Sequence, residues 1–177
     1  MKEIIKQRVT VDIDDEFIVF LIGMRVNKWW KIHRWLPIAL SMWSMIRELR
    51  KDPDSGYLSG EYTTVGNPII YLQYWKSYNH LEEYASNAMR LHMDNWRRFF
   101  KKIGLNGDVG IWHETYRIAP KHYECVYLNM PPFGLGKISP LVPANKGRES
   151  SRGRMEHWYK DKPTVGNAQG VKEVVNS

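Results

Sequence analysis

The order of hydrophobic and polar positions along the chain predicts alternating strands and helices. An uninterrupted apolar run at residues 17–22 is typical of a buried strand. Apolar residues that recur every three or four positions predict two amphipathic helices. Runs rich in β-branched and aromatic residues, bounded by turn residues, predict further strands. The predicted strands lie at 16–26, 57–65, 69–76, 109–118 and 122–129, and the predicted helices at 32–51 and 77–102.

This order predicts an α+β fold of the ferredoxin-like type, in which an antiparallel sheet carries both helices on one face. The strands at 69–76 and 109–118 are apolar or aromatic on both sides, so the face without helices is also hydrophobic. We therefore expect that face to be uncovered in one subunit, and two subunits to pack sheet against sheet as a homodimer. Residues 1–135 form the predicted domain, and residues 136–177 a basic C-terminal arm that contains Gly, Pro and Ser.

The charge distribution argues against a nucleic-acid partner. The chain has 26 basic and 19 acidic residues and a net charge of +7. Residues 137–177 hold eight basic and four acidic side chains, which leaves an excess of only three charges for the rest of the chain. That excess is too small to mark a nucleic-acid groove. The Gly and Pro content of the arm predicts an extended segment with little core of its own.

Cysteine content and hydropathy bear on the compartment. Cys125 is the single cysteine of the sequence, so neither an internal disulfide nor a multi-cysteine metal site can form. The apolar run at 17–24 is far shorter than the roughly 20 residues that span a bilayer, and residues 1–15 begin with charged side chains. We expect a cytoplasmic protein with no membrane partner.

Common catalytic motifs are missing from the sequence. It contains no glycine-rich phosphate loop, no G-x-G-x-x-G, no H-E-x-x-H and no G-x-S-x-G. The chain is rich in aromatic residues, with 8 Trp, 10 Tyr and 5 Phe, and some of these are expected to line a cavity or an interface. The remaining candidates for catalytic groups are histidine side chains that lie near aromatic residues.

His92 lies on the apolar stripe of the helix at 77–102, one turn before Trp96. It is either a core histidine satisfied by one hydrogen bond or a group that faces a cavity. In the second case a neutral imidazole could accept a proton or bind a haem iron.

His113 and Glu114 are neighbours in the strand at 109–118. Because side chains alternate along a strand, the two residues cannot both point into one pocket unless a bulge intervenes. Glu114 is either catalytic or paired with a basic side chain across the dimer. On the strand at 69–76, alternation places Tyr71 and Trp75 on one face and Tyr74 on the other. The pattern does not decide which of the two faces meets the ligand.

Three blocks of sequence resemble a known family. Residues 92–99, 109–116 and 123–135 occur in the order and form found in small monooxygenase-like proteins, which are related to the antibiotic biosynthesis monooxygenases and to the phenylacetaldoxime dehydratases. The resemblance covers residues 17–135. It implies a dimeric α/β barrel with a ligand cavity between sheet and helices, which agrees with the predicted fold.

The resemblance implies two chemistries. In one, neither metal nor flavin is used, and the pocket stabilises a substrate anion that itself reduces O2, so a base and a hydrogen-bond donor suffice. In the other, haem occupies the cavity with His92 as axial ligand, as in aldoxime dehydratases. The predicted function is a monooxygenase-like oxidoreductase for a small apolar or aromatic substrate. The alternatives are a haem protein or aldoxime-dehydratase-like lyase, and a non-catalytic ligand-binding module. The candidate catalytic residues are His92, His113 and Glu114, and the candidate substrate-binding residues are Tyr74, Trp75, Trp96, Trp112, Tyr116 and Asn129.

Overall fold

A computed structural model of the chain describes residues 3–86 and 106–160, with side chains to residue 155. Within these residues the strands are β1 (Val9–Val11), β2 (Phe17–Val26), β3 (Tyr57–Thr64), β4 (Ile69–Trp75), β5 (Val109–Ile118) and β6 (Leu141–Pro143). The helices are α1 (Ile32–Leu49), α2 (Tyr78–Ser86) and α3 (Ser151–Lys160), and two 3-10 turns lie at Pro53–Ser55 and Gly134–Lys137.

Four of the strands form one antiparallel sheet in the order β3-β4-β2-β5. The chain passes from β2 through α1 to β3, and from β4 through α2 toward β5, so the order of elements is strand, helix, strand, strand, helix, strand. This confirms the ferredoxin-like α+β fold. The predicted helix at 77–102 is seen as α2, and its remainder lies outside the described residues.

Both helices contribute to a core on one face of the sheet, which we call the helix face. Around Ile18 and Trp75 the core includes Leu49 of α1 and Leu81 and Tyr84 of α2. At the other end of the sheet, Met24, Val26 and Val109 meet the half-buried α1 residues Trp35, Ile38 and Ala39. Burying an apolar side chain of this size stabilises the fold by about 2–3 kcal/mol, so these two clusters fix α1 against the sheet.

The opposite face, here the outer face, was expected to be uncovered, and this expectation is wrong for one end of it. The chain itself covers that end, because Tyr123 packs its ring 5.6 Å from the ring of Phe17 and Tyr74 is only 8% exposed. An ion pair between Lys137 and Glu61 ties the segment after β5 to β3. The rest of the outer face, around Leu21, remains half-buried.

The prediction that residues 122–129 form a strand of a sheet is wrong. Its side chains do alternate between half-buried and exposed positions, as the sequence pattern indicates. Its backbone, however, makes isolated bridges, Val9 with Tyr127 and Ile5 with Met130, while β1 pairs with β6. Asn129 has a left-handed backbone (φ 56°), which interrupts an extended run.

The C-terminal arm contains regular structure, which the sequence analysis did not predict. β6 pairs with β1 in antiparallel register, and α3 begins at Ser151. Arg148 binds Asp12 at 2.7 Å, and Arg154 forms an ion pair with Glu124. The part of the arm up to residue 155 is therefore attached to the body of the protein by hydrogen bonds and charge pairs. The domain boundary at residue 135 stays a prediction.

Asp108 joins the start of β5 to the loop between β2 and α1. Its backbone carbonyl accepts hydrogen bonds from the amides of Asn27 and Lys28. Its side chain, 1% exposed, lies 2.9 Å from the Lys28 ammonium and 3.0 Å from that of Lys31. Hydrogen bonds from these two lysines lower the pKa of the Asp108 carboxyl.

Candidate functional site

A cavity of about 540 Å³ lies between α1 and the helix face of the sheet, and we call it the α1 cavity. A volume of this size accepts a small organic molecule. Its walls are almost entirely apolar. The sheet contributes Ile22, Met24, Ile69 and Ile111, and the helix contributes Ile38, Ala39, Leu40, Met42 and Trp43.

Tyrosine side chains add polar groups to one wall of the α1 cavity. Tyr71 is 1% exposed, and Tyr62, 50% exposed, packs its ring 4.6 Å from that of Tyr71. The hydroxyl of Tyr71 hydrogen-bonds the hydroxyl of Tyr57, and the guanidinium of Arg50 donates hydrogen bonds to both. Two hydroxyls carry two protons and their mutual bond uses one. The pair therefore has one hydroxyl proton that the mutual bond does not use.

Gly60 on β3 makes this arrangement possible. A Cβ at that position would stand 2.6 Å from the hydroxyl oxygen of Tyr71 and 2.7 Å from that of Tyr57. Only glycine lets the two rings lie across β3 with their hydroxyls in contact.

The tyrosines of the α1 cavity are neutral donors at ordinary pH. Burial raises the pKa of Tyr71 far above its usual value of 10.0, and the hydrogen bond with Tyr57 adds to this effect. Burial also raises the pKa of Tyr62. These phenols therefore keep their protons and can hydrogen-bond an oxygen that gains negative charge.

A second, smaller cavity of about 50 Å³ adjoins the first, and both are lined by Ile22 and Met42. Trp75 and the buried Gln73 line it, and the indole N–H of Trp75 donates to the Gln73 side-chain oxygen at 2.9 Å. Trp75 was predicted to bind substrate, and the structure places it in this packed core.

His113 lies at the border of the α1 cavity. It is on the helix face, its register partner is Ile22, and Ile111 two residues earlier shares its face. Both isoleucines line the cavity. Its side chain is exposed, with its ring centroid 5.7 Å from that of Phe20. Directly opposed residues in an antiparallel pair have Cβ atoms about 5 Å apart, so the His113 side chain lies next to the cavity wall.

Glu114, Trp112 and Tyr116 share the outer face instead. β5 pairs with β2 without a register shift, so Glu114 and His113 point to opposite faces, as alternation predicts. Glu114 accepts a hydrogen bond from the Tyr116 hydroxyl, and this bond raises the pKa of Tyr116. The half-buried Trp112 lies against Gly23, where a Cβ would overlap the indole.

The remaining predicted site residues are dispersed. Tyr74 is buried on the outer face, near Phe17 and Gly134. Asn129 is exposed in a turn, and its backbone N–H donates to the carbonyl of Ile5. His92 and Trp96 lie outside the described residues. Neither Tyr74 nor Asn129 lines the α1 cavity.

Tyr62 and Arg50 were not predicted from the sequence, in which Tyr71 could lie on either of two equivalent faces. The signal that would have found Tyr71 is the strand register. Once Ile18 is opposite Trp75 in the core, Tyr71 must share the helix face. The contribution of Arg50 depends on the end of α1 lying beside β3, and local periodicity does not specify that.

The described residues do not supply a haem or metal site. No group of three potential metal ligands occurs among them, and no histidine lines the α1 cavity within the same residues. A haem would need a proximal ligand such as histidine, and His92 lies outside the described residues.

The fold and the cavity define a class: a ferredoxin-like α+β protein with an apolar ligand cavity between helix and sheet. The sequence matches the family described as Monooxygenase af470-like over residues 17–135, and the chain belongs to that family.

Solved structures with a similar fold include aldoxime dehydratase (OxdRE) in complex with butyraldoxime, with a TM-score of 0.64 and 17% identity. That match covers 78% of this chain and 43% of the dehydratase, so the chain spans less than half of its length. SnoaB, a cofactor-independent oxygenase from Streptomyces nogalater, is similar over 58% of this chain and 91% of its own, with 8% identity and a TM-score of 0.41. A comparison with curated proteins finds no match.

Proposed function

We propose that the protein oxygenates a small apolar or aromatic molecule held in the α1 cavity. The observation that carries the proposal is the composition of the walls: apolar residues surround the space, and hydrogen-bonded tyrosines stand at one side. Such walls exclude water and orient a ligand through few polar contacts. Membership of a monooxygenase-like family supports oxygenation as the reaction.

The proposed substrate has an acidic CH2 group beside a carbonyl or an aromatic ring. A base removes one proton, and the tyrosine pair hydrogen-bonds the oxygen that gains negative charge. The substrate anion then reduces O2. Overall the CH2 becomes C=O, one oxygen atom is kept and the other leaves as water. The substrate loses four electrons and O2 gains four, so the reaction needs no external reductant.

His113 and His92 are the candidate bases. His113 is supported by its position beside Ile22 and Ile111 at the border of the cavity. His92 stays a prediction from helical periodicity. Glu114 is a weaker candidate, because it lies on the outer face.

Oxygen uptake with anthrone, an apolar aromatic ketone with an acidic CH2, tests the proposal. Loss of a general base slows a reaction by about 10²–10⁴-fold. We expect this loss in His113→Ala or His92→Ala, and full activity in the control His33→Ala, which alters an exposed histidine of α1. Full activity in both candidate variants would contradict the proposal. A wild type that binds anthrone without oxygen uptake would favour a non-catalytic binding module.

Haem chemistry would need an axial ligand such as His92, which lies outside the described residues. The visible spectrum of the protein with and without hemin distinguishes the two chemistries. We expect no Soret band that depends on a protein ligand. A band that appears with hemin and disappears in His92→Ala would contradict the cofactor-free reaction.

We also propose that the protein is a homodimer formed through the part of the outer face that its own chain leaves accessible. Leu21, Leu72 and Trp112 are half-buried there, and Tyr116 is exposed. These side chains form an apolar surface next to the segment that covers Phe17 and Tyr74. Light scattering at micromolar concentration should give twice the chain mass of 20.9 kDa, and a monomeric mass would contradict the dimer.

A further inference from the structure

The solvent side of α1 exposes large apolar side chains. Ile32, Leu36, Leu40 and Trp43 follow one another at spacings of four, four and three residues, so they form one stripe along the helix. Their exposed fractions range from 39% to 59%. The neighbouring side of α1 packs on the sheet through Ile46 and Leu49. The apolar arc of the helix therefore continues from the sheet-facing side onto the surface, which is unusual for a helix at a protein surface.

Two exposed tryptophans lie just before the start of the helix. Trp29 is 48% and Trp30 75% exposed. With Trp43 there are three exposed indoles between residues 29 and 43. Tryptophan is enriched where a protein meets the boundary between lipid headgroups and acyl chains, because its ring is apolar and its N–H is polar.

The same segment is strongly basic. Residues 25–51 contain seven basic side chains and one acidic one, which gives the segment a net charge of +6. Asp108, the residue before β5, neutralises one of these charges through Lys28 and Lys31. The side chain of Arg47 stacks over the ring of Trp43. A positive field therefore surrounds the apolar stripe.

The stripe is continuous with the α1 cavity. Leu40 and Trp43 are more than half exposed, and both also line the cavity. Tyr62 joins them at the border. A molecule that reaches the stripe from an apolar phase is therefore next to the cavity without crossing bulk water.

We propose that this surface binds an anionic lipid bilayer, with α1 lying in the headgroup region and the mouth of the α1 cavity facing the acyl chains. The geometry matches an interfacial helix, in which an apolar stripe with aromatic residues is flanked by basic ones. No described helix is long and apolar enough to cross a membrane. A second copy of the chain fits less well, because a two-fold interface would place the same positive surface against itself.

If the proposed function holds, bilayer binding also defines the substrate class. The substrate would be a lipid-soluble molecule that partitions into the membrane and enters the cavity at Leu40 and Trp43. This extension depends on the proposed function, whereas bilayer binding does not.

Co-sedimentation with vesicles tests the proposal on the full chain. We expect binding to phosphatidylcholine vesicles that contain 30% phosphatidylglycerol, at least tenfold weaker binding to pure phosphatidylcholine, and a clear loss in 0.5 M salt. The double variant Trp30→Ser, Leu36→Asp alters the stripe at residues that do not line the cavity. It should bind at least tenfold more weakly.

Leu128→Asp is the matched control, because Leu128 is also exposed (53%) but belongs to the segment after β5 and not to α1. It should bind like the wild type, and circular dichroism should show that all variants are folded. Failure of the wild type to bind anionic vesicles at low salt, or equal loss in the control, would overturn the proposal. The proposal would also be overturned if the double variant changed a dimer into a monomer and the protein did not bind vesicles. Oxygen uptake by detergent-free protein reports on the enzyme separately, so failure of that activity leaves the vesicle result readable.

Discussion

Tyr71 contributes both to the stability of the fold and to the proposed chemistry. Its hydroxyl joins Tyr57 and Arg50 to the wall of the α1 cavity, and its ring lies over Gly60. Because the phenol is buried and neutral, it donates a hydrogen bond without first losing solvating water. Its position is set by the register of β4 against β2 and β3.

We predict that Tyr71→Phe lowers the free energy of unfolding by about 1–2 kcal/mol at pH 7, through the loss of hydrogen bonds to Tyr57 and Arg50. The raised pKa of Tyr71 adds a pH dependence. The unfolded chain ionises near pH 10.0, before the folded chain does, so the wild type loses stability as pH rises above that value. The phenylalanine variant lacks this loss.

Urea unfolding between pH 7 and 11 measures the difference between the two proteins. It should shrink above pH 10. A difference that grows with pH would contradict a buried, neutral Tyr71.

The sequence could predict the face on which a residue lies only through the alternation of side chains along a strand. It placed His113 and Glu114 on opposite faces, and the uninterrupted register of β5 confirms this. It could not choose between the faces of Tyr71 and Tyr74, because β4 is apolar on both sides and both residues are buried. The choice depends on which face meets α1 and α2, and that is a tertiary property.

At the scale of elements, Asp108 connects β5 to the loop that leads into α1. We predict that Asp108→Asn reduces the urea midpoint at pH 7, since the amide cannot compensate the two lysines that approach the buried carboxylate. The lowered pKa of Asp108 fixes the pH range of the effect. Its contribution is present above the ordinary carboxyl pKa of 3.8 and disappears as pH falls through the lower folded value.

The midpoints of wild type and variant should therefore converge below about pH 4. Asp54→Asn, in the exposed 3-10 turn, is a control with the same chemical change and should have little effect at pH 7. Equal midpoints for Asp108→Asn and wild type at pH 7 would show that the lysine pairs do not stabilise the fold.

Element prediction succeeded where packing and local pattern agree. β2, α1, β3, β4 and β5 all have strong periodicity and lie in or on the main sheet. The segment 122–129 has the same alternation, but it meets the three-residue strand β1 at a single bridge, Val9 with Tyr127. β1 and β6 are three residues each, too short to give a pattern.

At the scale of the molecule, the order of elements was enough to predict the ferredoxin-like topology. The α1 cavity was expected from family resemblance alone, because its volume depends on how far α1 stands from the sheet. No helix among the described residues is long and apolar enough to cross a membrane. Run length does not report on a helix that lies along a bilayer, so the proposed membrane surface could not be seen in that way.

The central claim is that the α1 cavity holds the ligand, and a cavity-filling substitution tests it most directly. Ala39→Phe places a ring in the space beside Met42, whereas Ala119→Phe makes the same change in an exposed turn and serves as the control. Ala39→Leu repeats the test with less volume, in case the larger residue impairs folding, and thermal unfolding checks all three variants.

The measurement is the dissociation constant for anthrone by tryptophan fluorescence quenching. We predict at least tenfold weaker binding for Ala39→Phe, a smaller loss for Ala39→Leu, and a wild-type value for Ala119→Phe. Unchanged binding in folded Ala39→Phe would contradict it.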